Sequence, residues 1–265
     1  TRYSLREQVP EGRVLNILLA EDNLVNQKLA RRLLEKRNHS VTVVANGREA
    51  LAALEKGTFD LVLMDVQMPE IDGLRATMIL REQERDMGRH QPVVAMTALA
   101  MSGDKERCIM AGMDGYLSKP IRPQELDRLL DSYLEGREQV TRSIDLPSAA
   151  ESPVNVPELL DRIDNDRKLL AELVDLFRAE LPGNLLAAQQ AIDREDSGAL
   201  QTTAHALRGA LGNLSANRAL ALCSELETIG KLHKLREAQG TLERLMRELS
   251  NVSRALEALC PGHVE

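Results

Sequence analysis

Tryptophan is absent from this chain of 265 residues, and aromatic residues make up only 2% of it. The hydrophobic 43% is therefore mostly Leu, Val, Ile, Ala and Met, a mixture that suits helices and buried strands. No run of about eighteen apolar residues occurs, which excludes a membrane-spanning helix of the usual length. The chain is long enough for two ordinary domains, each with its own core.

Cysteine is also scarce, with three residues at Cys108, Cys223 and Cys260. The number is odd, the three lie far apart in the chain, and none has the spacing of a metal ligand. This pattern predicts free thiols in a reducing compartment. We therefore expect a cytoplasmic segment, whose parent protein can still be anchored in a membrane.

The chain has no excess of positive charge. Its formal net charge is −7, with 20 basic and 21 acidic residues in 1–137 and 14 and 20 in the remainder. Binding to nucleic acid depends on a basic surface that neutralises phosphates. Neither half provides such a surface, so we expect no nucleic-acid partner and no membrane contact by this segment.

Residues 14–137 alternate short apolar runs with amphipathic stretches, which predicts an α/β domain. The runs are apolar at consecutive positions, as expected of parallel strands covered on both faces. They are Val14–Leu19, Val41–Val44, Leu61–Met64, Val93–Met96 and Tyr116–Leu117. A helical pattern follows each run, and Asn46, Pro123 and Gly112 are typical of helix boundaries. Five repeats of strand and helix predict a five-stranded doubly wound parallel sheet with flavodoxin-like topology.

The chain changes character after that domain. Residues 138–154 are small and polar with two prolines, which predicts a linker. Residues 1–13 are expected to be the remnant of another linker, so that the chain is a piece of a longer protein. Helical patterns without any strand pattern then fill 155–262. They cover 157–163, 167–180, 182–194, 198–214, 217–231 and 235–259, with Asp166, Ser197 and Asn217 near helix starts. Long helices with short loops predict an all-α domain, a four-helix bundle.

Polar side chains follow four of the predicted strands. They are Glu21 and Asp22 after the first, Asp65 after the third, Thr97 after the fourth and Lys119 after the fifth. Ligands of such a sheet bind beyond the carboxyl ends of the strands, so these groups should converge. Closely spaced carboxylates suit Mg²⁺, beside which an Asp can attack a phosphoryl group while Lys and Thr contact its oxygens. Each residue alone is more often a turn or surface residue; together they favour a phosphoryl site.

These motifs resemble those of the receiver domains of two-component response regulators, and the resemblance covers residues 14–135. It rests on Leu-Leu-Ala-Glu-Asp-Asn at 18–23, Leu-Met-Asp-Val-Gln-Met-Pro at 63–69, Ala-Met-Thr-Ala at 95–98 and Gly-Tyr-Leu-Ser-Lys-Pro at 115–120. The order and spacing of the four motifs are highly specific. Glu21 stands where the family commonly has Asp, which is a conservative change.

The resemblance implies a role for each of these residues. Asp65 is the expected phosphoacceptor. The expected Mg²⁺ ligands are Asp22, Asp65, the backbone carbonyl of Gln67 and, through water, Glu21. Thr97 and Lys119 are expected to contact the phosphoryl group, and Thr97 and Tyr116 to form the switch that follows phosphorylation. The family also has a cis peptide at the position of Lys119–Pro120.

One predicted helix of the second domain has an unusual face. Its apolar residues, spaced four and three apart, predict a core-facing stripe; they are Leu200, Ala204, Leu207, Leu211 and Leu214. His205 lies off this stripe, with Gln201, Arg208, Gly209 and Gly212 as its neighbours on the helix surface. Glycine inside a helix costs up to about 1 kcal/mol relative to Ala, which favours a surface that leaves room for a partner protein. An exposed imidazole there offers a nucleophilic nitrogen, and Arg208 offers a charge for a phosphoryl group.

The segment Ala-His-Ala-Leu-Arg-Gly-Ala-Leu-Gly-Asn-Leu-Ser-Ala at 204–216 resembles the signature of histidine phosphotransfer (HPt) domains. The resemblance covers about residues 155–260 and implies that His205 is phosphorylated. Arg208 stands where the family usually has Lys, which keeps the charge but changes the donor geometry.

A receiver followed by an HPt domain resembles the C-terminal part of a hybrid sensor histidine kinase. The chain has no Gly-rich nucleotide loop, so ATP cleavage is expected elsewhere, and phosphotransfer is the chain's own expected activity. The resemblance implies flow from an upstream kinase histidine to Asp65, then to His205, then to a separate downstream response regulator. Two alternatives stay open: a partner-binding regulatory scaffold, and a Mg²⁺-dependent phosphatase-like domain, which would normally have a second Asp where this chain has Gln67.

Overall fold

A computed structural model describes residues 13–97, 102–134 and 152–260 of the chain. The predicted linkers at 1–13 and 138–154 fall almost entirely outside these ranges. No disulfide joins Cys108, Cys223 and Cys260, all of which lie in the described ranges.

The first domain is built on a five-stranded parallel sheet. Its strands are β1 (Asn16–Ala20), β2 (Ser40–Val44), β3 (Leu61–Asp65), β4 (Val93–Thr97) and β5 (Gly115–Ser118). They lie in the order β2-β1-β3-β4-β5, and every neighbouring pair is parallel. This confirms the predicted α/β class. The strand order reverses between β1 and β3, so a crevice opens at the carboxyl ends of those two strands.

Five helices cover the two faces of the sheet. They are α1 (Leu24–Lys36), α2 (Gly47–Lys56), α3 (Gly73–Met87), α4 (Ser102–Met110) and α5 (Pro123–Leu134). Helices α1 and α5 share one core with Ile17 and Leu19, while α2, α3 and α4 share the other with Leu18 and Val62. The side chains of Asn23, Asn46 and Asp72 cap α1, α2 and α3 by accepting hydrogen bonds from backbone N–H groups.

The second domain is all-helical, as predicted. After the short α6 (Val156–Arg162) come four long helices: α7 (Arg167–Asp193), α8 (Ser197–Asn213), α9 (Asn217–Lys231) and α10 (Ala238–Leu259), the last preceded by a 3-10 turn at Leu235–Glu237. Residues 152–260 contain no strand. The predicted stripe on α8 is confirmed, because its five apolar residues are all buried.

Two predicted helix boundaries are wrong. The patterns at 167–180 and 182–194 are one continuous helix with Pro182 inside it. A proline in a helix interior costs about 3 kcal/mol, yet the helix continues, with Phe177 and Ala188 on either side of Pro182 buried in the same core. Asp166, Ser197 and Asn217 lie at helix starts, as predicted: Asp166 caps α7, and Ser197 and Asn217 are the first residues of α8 and α9.

The two domains pack against each other through α1. This helix contacts α7 and α8 of the bundle, and the core beneath it is continuous with the bundle core. Because α1 begins directly after Glu21 and Asp22, the carboxyl edge of the sheet lies beside the helix that carries His205. The packing of α1 therefore sets the geometry of the site.

Candidate functional site

The carboxyl edge of the sheet brings three carboxylates together, as predicted. One oxygen from each of Glu21, Asp22 and Asp65 lies within 4.8 Å of the other two. Glu21 and Asp65 are buried and Asp22 is half-buried. Such a set of closely spaced hard oxygen donors fits a small divalent cation, because the carboxylates repel one another until positive charge is placed between them.

Lys119 supplies part of that positive charge. Its ammonium lies 2.6 Å from Asp65 Oδ2 and 2.5 Å from Glu21 Oε2. Burial alone would lower the pKa of Lys119, but the attraction of Asp65 and Glu21 outweighs burial and raises it. The Lys119–Pro120 peptide is cis, as the resemblance implies.

Asp65 is the most strongly perturbed carboxyl of this edge. Burial raises its pKa to about 8, the charge of Lys119 opposes that rise, and the charge of Glu21 adds to it. The pKa of Asp22 is also raised, chiefly by burial and then by Glu21. One ammonium does not balance three carboxylates, so a bound cation could neutralise the remaining negative charge at this edge.

The loop after Asp65 turns back tightly over the strand end. A side chain at Gly73 would place its Cβ 2.0 Å from the Asp65 carbonyl oxygen, so only glycine fits there. The Gln67 N–H donates to Asp65 Oδ1 at 3.2 Å. Thr97 is the buried last residue of β4, and the Tyr116 ring lies under the Lys105 ammonium, 5.1 Å from its centroid.

His205 is more enclosed than the helix pattern predicts. The expected exposed imidazole is half-buried, with 17% of its side chain accessible. Its Nδ1 lies 3.1 Å from Glu227 Oε1 and 3.1 Å from Arg208 Nη2. Arg208, expected to be available for a phosphoryl group, has its Nε 2.9 Å from Glu227 Oε2. The expectation of an exposed residue failed because α9 covers one side of His205.

Glu227 is a site residue that the sequence reasoning missed. Burial would raise its pKa, but the hydrogen bond with His205 and the charge of Arg208 outweigh burial and lower it. It belongs to α9, so the pattern around His205 on α8 gives no sign of it. The sequence could have indicated it in one way. His205 and Glu227 lie at similar distances along the chain from the short turn that ends at Ala216, so an antiparallel pair of helices joined by that turn would place them side by side.

A cavity of about 240 Å³ lies between the two domains and joins both candidate sites. The first domain lines it with Glu21, Asp22 and Lys119, and the bundle lines it with His205, Arg208 and Gly209. The groups that the sequence assigned to separate sites thus face one another in one space.

Of the two glycines on the His205 face, Gly209 allows the domains to approach. A Cβ on Gly209 would lie 2.8 Å from Asn26 Nδ2 of α1, whereas a Cβ on Gly212 would lie in ordinary contact with Pro120 at 3.7 Å and closer, at 3.2 Å, to Leu220 of the bundle. The predicted space for a partner is therefore filled by the first domain of the same chain. Gln201, predicted for the same face, lies instead against Gly230 of α9 and does not line the cavity.

Two family comparisons cover most of the described residues. The response regulator receiver domain family matches residues 17–131, and the Hpt domain family matches residues 172–258. The chain is a receiver domain joined to an Hpt domain. Its relatives are hybrid sensor histidine kinases, and the chain is accordingly a two-component phosphorelay module.

Curated relatives carry the same pair of domains in longer proteins. The signal transduction histidine-protein kinase BarA of Shigella flexneri is 32% identical over 91% of this chain, which spans 27% of BarA. The sensor histidine kinase GacS of Pseudomonas protegens is 33% identical over 85% of this chain, which spans 25% of GacS. Within the described part of the receiver–Hpt chain, no helix has the length and hydropathy needed to cross a membrane.

The solved structures similar to this chain include a complex of a phosphotransfer protein with a receiver domain, and an isolated receiver domain. The complex of the Saccharomyces cerevisiae phosphotransfer protein Ypd1 with the receiver domain of Ssk1 matches with 28% identity and a TM-score of 0.45, covering 49% of this chain and 94% of that one. The receiver domain of PA1611 from Pseudomonas aeruginosa, which holds magnesium in its active-site cleft, matches with 41% identity and a TM-score of 0.43, covering 46% of this chain and 99% of that one.

Proposed function

We propose that Asp65 accepts a phosphoryl group from an upstream histidine kinase and passes it to His205 of the same chain, which then donates it to a separate response regulator. The observation that supports transfer between the two sites is the shared cavity, which Lys119, the ion-pair partner of Asp65, lines on one side and His205 on the other, while Asp65 itself lies buried behind Lys119. An Asp donor and a His acceptor must approach to near contact for in-line transfer.

Mg²⁺ is the cofactor that this receiver would hold. Asp22, Asp65, the Gln67 carbonyl and, through water, Glu21 are its ligands in this proposal, supported by the three carboxylate oxygens within 4.8 Å of one another. When bound, the ion supplies positive charge that neutralises the phosphoryl oxygens. Thr97 and Lys119 contact those oxygens directly, and Tyr116 with Thr97 reports the phosphorylated state to the surface.

The transfer to His205 is an exchange of one bond for another. The His205 Nε2–phosphorus bond forms while the bond between phosphorus and the Asp65 carboxylate oxygen breaks, and Asp65 returns to a free carboxylate. Glu227 positions the acceptor. In this proposal the Nδ1 proton of His205 is donated to Glu227, a carboxylate that only accepts, and the lone pair lies on Nε2; the Arg208 Nη2 contact with Nδ1 is then not a hydrogen bond.

Arg208 and Glu227 then balance the product. The imidazole becomes positively charged at the ring when Nε2 takes the phosphoryl group, and the Glu227 carboxylate 3.1 Å from Nδ1 stabilises that charge. The Arg208 guanidinium remains close enough to turn toward the phosphoryl oxygens. Because Gly209 and Gly212 have no side chains, a receiver can approach this face of α8 closely enough to reach Nε2.

Following the position of label tests the proposed order. A phosphorylated histidine kinase core with Mg²⁺ is mixed with the wild-type chain, with Asp65→Asn and with His205→Gln. We expect no label on Asp65→Asn, and label on the Asp65 carboxyl alone in His205→Gln. The two labelled groups can be told apart because an acyl phosphate is lost in base and a phosphohistidine in acid. Strong labelling of His205 in Asp65→Asn would overturn the order.

A further inference from the structure

Three basic residues of α1 form a row along the side of the helix that meets the bundle. Lys28, Arg32 and Lys36 are spaced four residues apart, which places them on one stripe of the helix surface. We call these three residues the basic ridge. Arg31 and Glu35 pair with each other on another side of the same helix.

The bundle meets this ridge with three carboxylates around the start of α7. Lys28 lies 2.6 Å from Glu172, Arg32 lies 3.4 Å from Asp166, and Lys36 lies 2.6 Å from Asp164. We call Asp164, Asp166 and Glu172 the acidic corner. Each basic residue thus has its own acidic partner in the other domain.

The centre of the junction is closed by polar and apolar contacts beside this row. Asn213 Nδ2 donates to Asn26 Oδ1 at 2.6 Å, and Asn23 Nδ2 donates to the Ala206 carbonyl at 3.2 Å. Leu29 of α1 and Leu220 of α9 line the same cavity as His205. The basic ridge therefore lies beside the contacts that bring the receiver onto His205.

The ridge pairs are too exposed to provide much binding free energy. Lys28 and Glu172 keep 42% and 36% of their side-chain surface accessible, and Lys36 and Asp164 keep 43% and 45%. Exposed pairs of this kind contribute little to affinity, but matched charges set the association rate, the orientation and the choice of partner. We therefore expect these ion pairs to determine which receiver the bundle recognises rather than how tightly it binds.

We propose that the acidic corner is the surface by which this Hpt domain selects receivers, and that it accepts a receiver whose first helix carries a basic ridge at four-residue spacing. This rests on the proposed function. The partner it fits is the receiver of a second copy of this chain, which carries the same basic ridge. The open side of His205 faces the cavity, and Glu227 and Arg208 cover its Nδ1 side. A second receiver must therefore use the face that α1 occupies, and docking of the chain's own receiver excludes it.

Mixing two full-length variants tests the selection directly. The donor chain carries His205→Gln and is labelled on Asp65 with radiolabelled acetyl phosphate and Mg²⁺. The acceptor chain carries Asp65→Asn and keeps His205. Label on the acceptor then measures transfer between chains, and the rate is normalised to the label on the donor.

Lys28→Glu should change this rate in opposite directions in the two chains. Every donor also carries Glu172→Ala, so that its own receiver is already loosened from its own acidic corner; in that donor Lys28→Glu weakens recognition of the acceptor's acidic corner, and we expect transfer about threefold slower. In the acceptor, Lys28→Glu loosens that chain's own receiver from the acidic corner. The site around His205 becomes easier to reach, and transfer should be about threefold faster. Glu172→Lys in the acceptor should restore the rate for the Lys28→Glu donor. Lys56→Glu, the same charge change on α2 at the other face of the sheet, is the matched control and should leave the rate unchanged.

The outcomes separate this proposal from the proposed function. Equal effects in both chains, no effect in either, or an equal effect of Lys56→Glu would overturn the role of the acidic corner while leaving the relay intact. An absence of label on His205 even in the wild-type chain would overturn the proposed function, and the selection of receivers with it.

Discussion

Asn26 of the receiver accepts a hydrogen bond from Asn213 of the Hpt domain at 2.6 Å, while its Nδ2 donates to Glu21 at 2.8 Å. One buried amide thus ties the acidic site to the helix that carries His205. The relationship means that the position of the bundle and the arrangement of the proposed Mg²⁺ ligands are coupled through the Asn26 side chain.

Asn213→Ala should weaken the docking of the two domains. It leaves the buried Asn26 Oδ1 without its donor, and an unpaired buried polar group costs about 1–3 kcal/mol. We expect a slower transfer from Asp65 to His205 and faster amide hydrogen exchange along α1, with little change in the bundle. Asn184→Ala on α7 is the control. Unchanged exchange in α1 would show that the Asn26 contact does not hold the domains.

Gly209→Ala should slow transfer although it improves helix propensity. The new methyl group would lie 2.8 Å from Asn26 Nδ2, which is held by Glu21, so the domains must separate or that bond must break. We expect a reduction in the Asp65-to-His205 rate of about threefold to tenfold, roughly 1 kcal/mol. Gly183→Ala, at a helical glycine with no atom within 4 Å of the added carbon, should instead stabilise the bundle by up to about 1 kcal/mol. Equal rates for both variants would contradict the docked geometry.

Glu227 should act as a positioning residue for His205. Glu227→Ala removes the acceptor of the Nδ1 proton, and we expect phosphorylation of His205 to fall by about tenfold to a hundredfold, the scale of lost support in a preorganised site. Glu227→Gln keeps an oxygen that can accept this proton and should recover part of the rate. Labelling of Asp65, measured in the same reactions, should not change. A Glu227→Ala variant with the wild-type rate of His205 phosphorylation would show that Glu227 does not position His205.

The raised pKa of Asp65 predicts how Mg²⁺ binding depends on pH. Without metal the folded-state pKa of about 8 lies above the ordinary carboxyl value, so ionised Asp65 destabilises the metal-free fold progressively as the pH rises toward 8. Mg²⁺ competes with that proton, and its affinity should therefore rise over the same range. Thermal melts with and without Mg²⁺ should show a larger gain in Tm at about pH 8 than at about pH 6. Asp65→Asn should raise the metal-free Tm and lose most of this gain; an equal gain at both pH values would argue against metal at this edge.

The parts of this molecule that depend on local pattern could be predicted from the sequence. Buried parallel strands appear in the sequence as apolar runs. Because the carboxyl ends of such strands lie at one edge of the sheet, Glu21, Asp65 and Lys119 could be placed together from the sequence. The parts that depend on packing between distant segments could not. Glu227 reaches His205 only through the α8–α9 hairpin, and Asn26 meets Asn213 across a separation of 187 residues.

Propensity also failed where packing outweighed it. Pro182 predicts a helix break, yet α7 continues through it, and the helix is anchored in the bundle core on both sides, at Phe177 and at Ala188. The glycines beside His205 indicate that something approaches, but a helix pattern cannot show that the approaching surface belongs to the same chain.

The concentration dependence of transfer in the wild-type chain tests the central claim, that Asp65 passes its phosphoryl group to His205 within one molecule. Asp65 is labelled in a short pulse, and the appearance of phosphohistidine is followed by rapid quenching over about a hundredfold range of protein concentration. A first-order rate constant that does not change over this range is the predicted result, because the docked domains fix the local concentration of the two groups. A rate constant that rises in proportion to protein concentration would mean that transfer occurs between molecules, and would contradict the account.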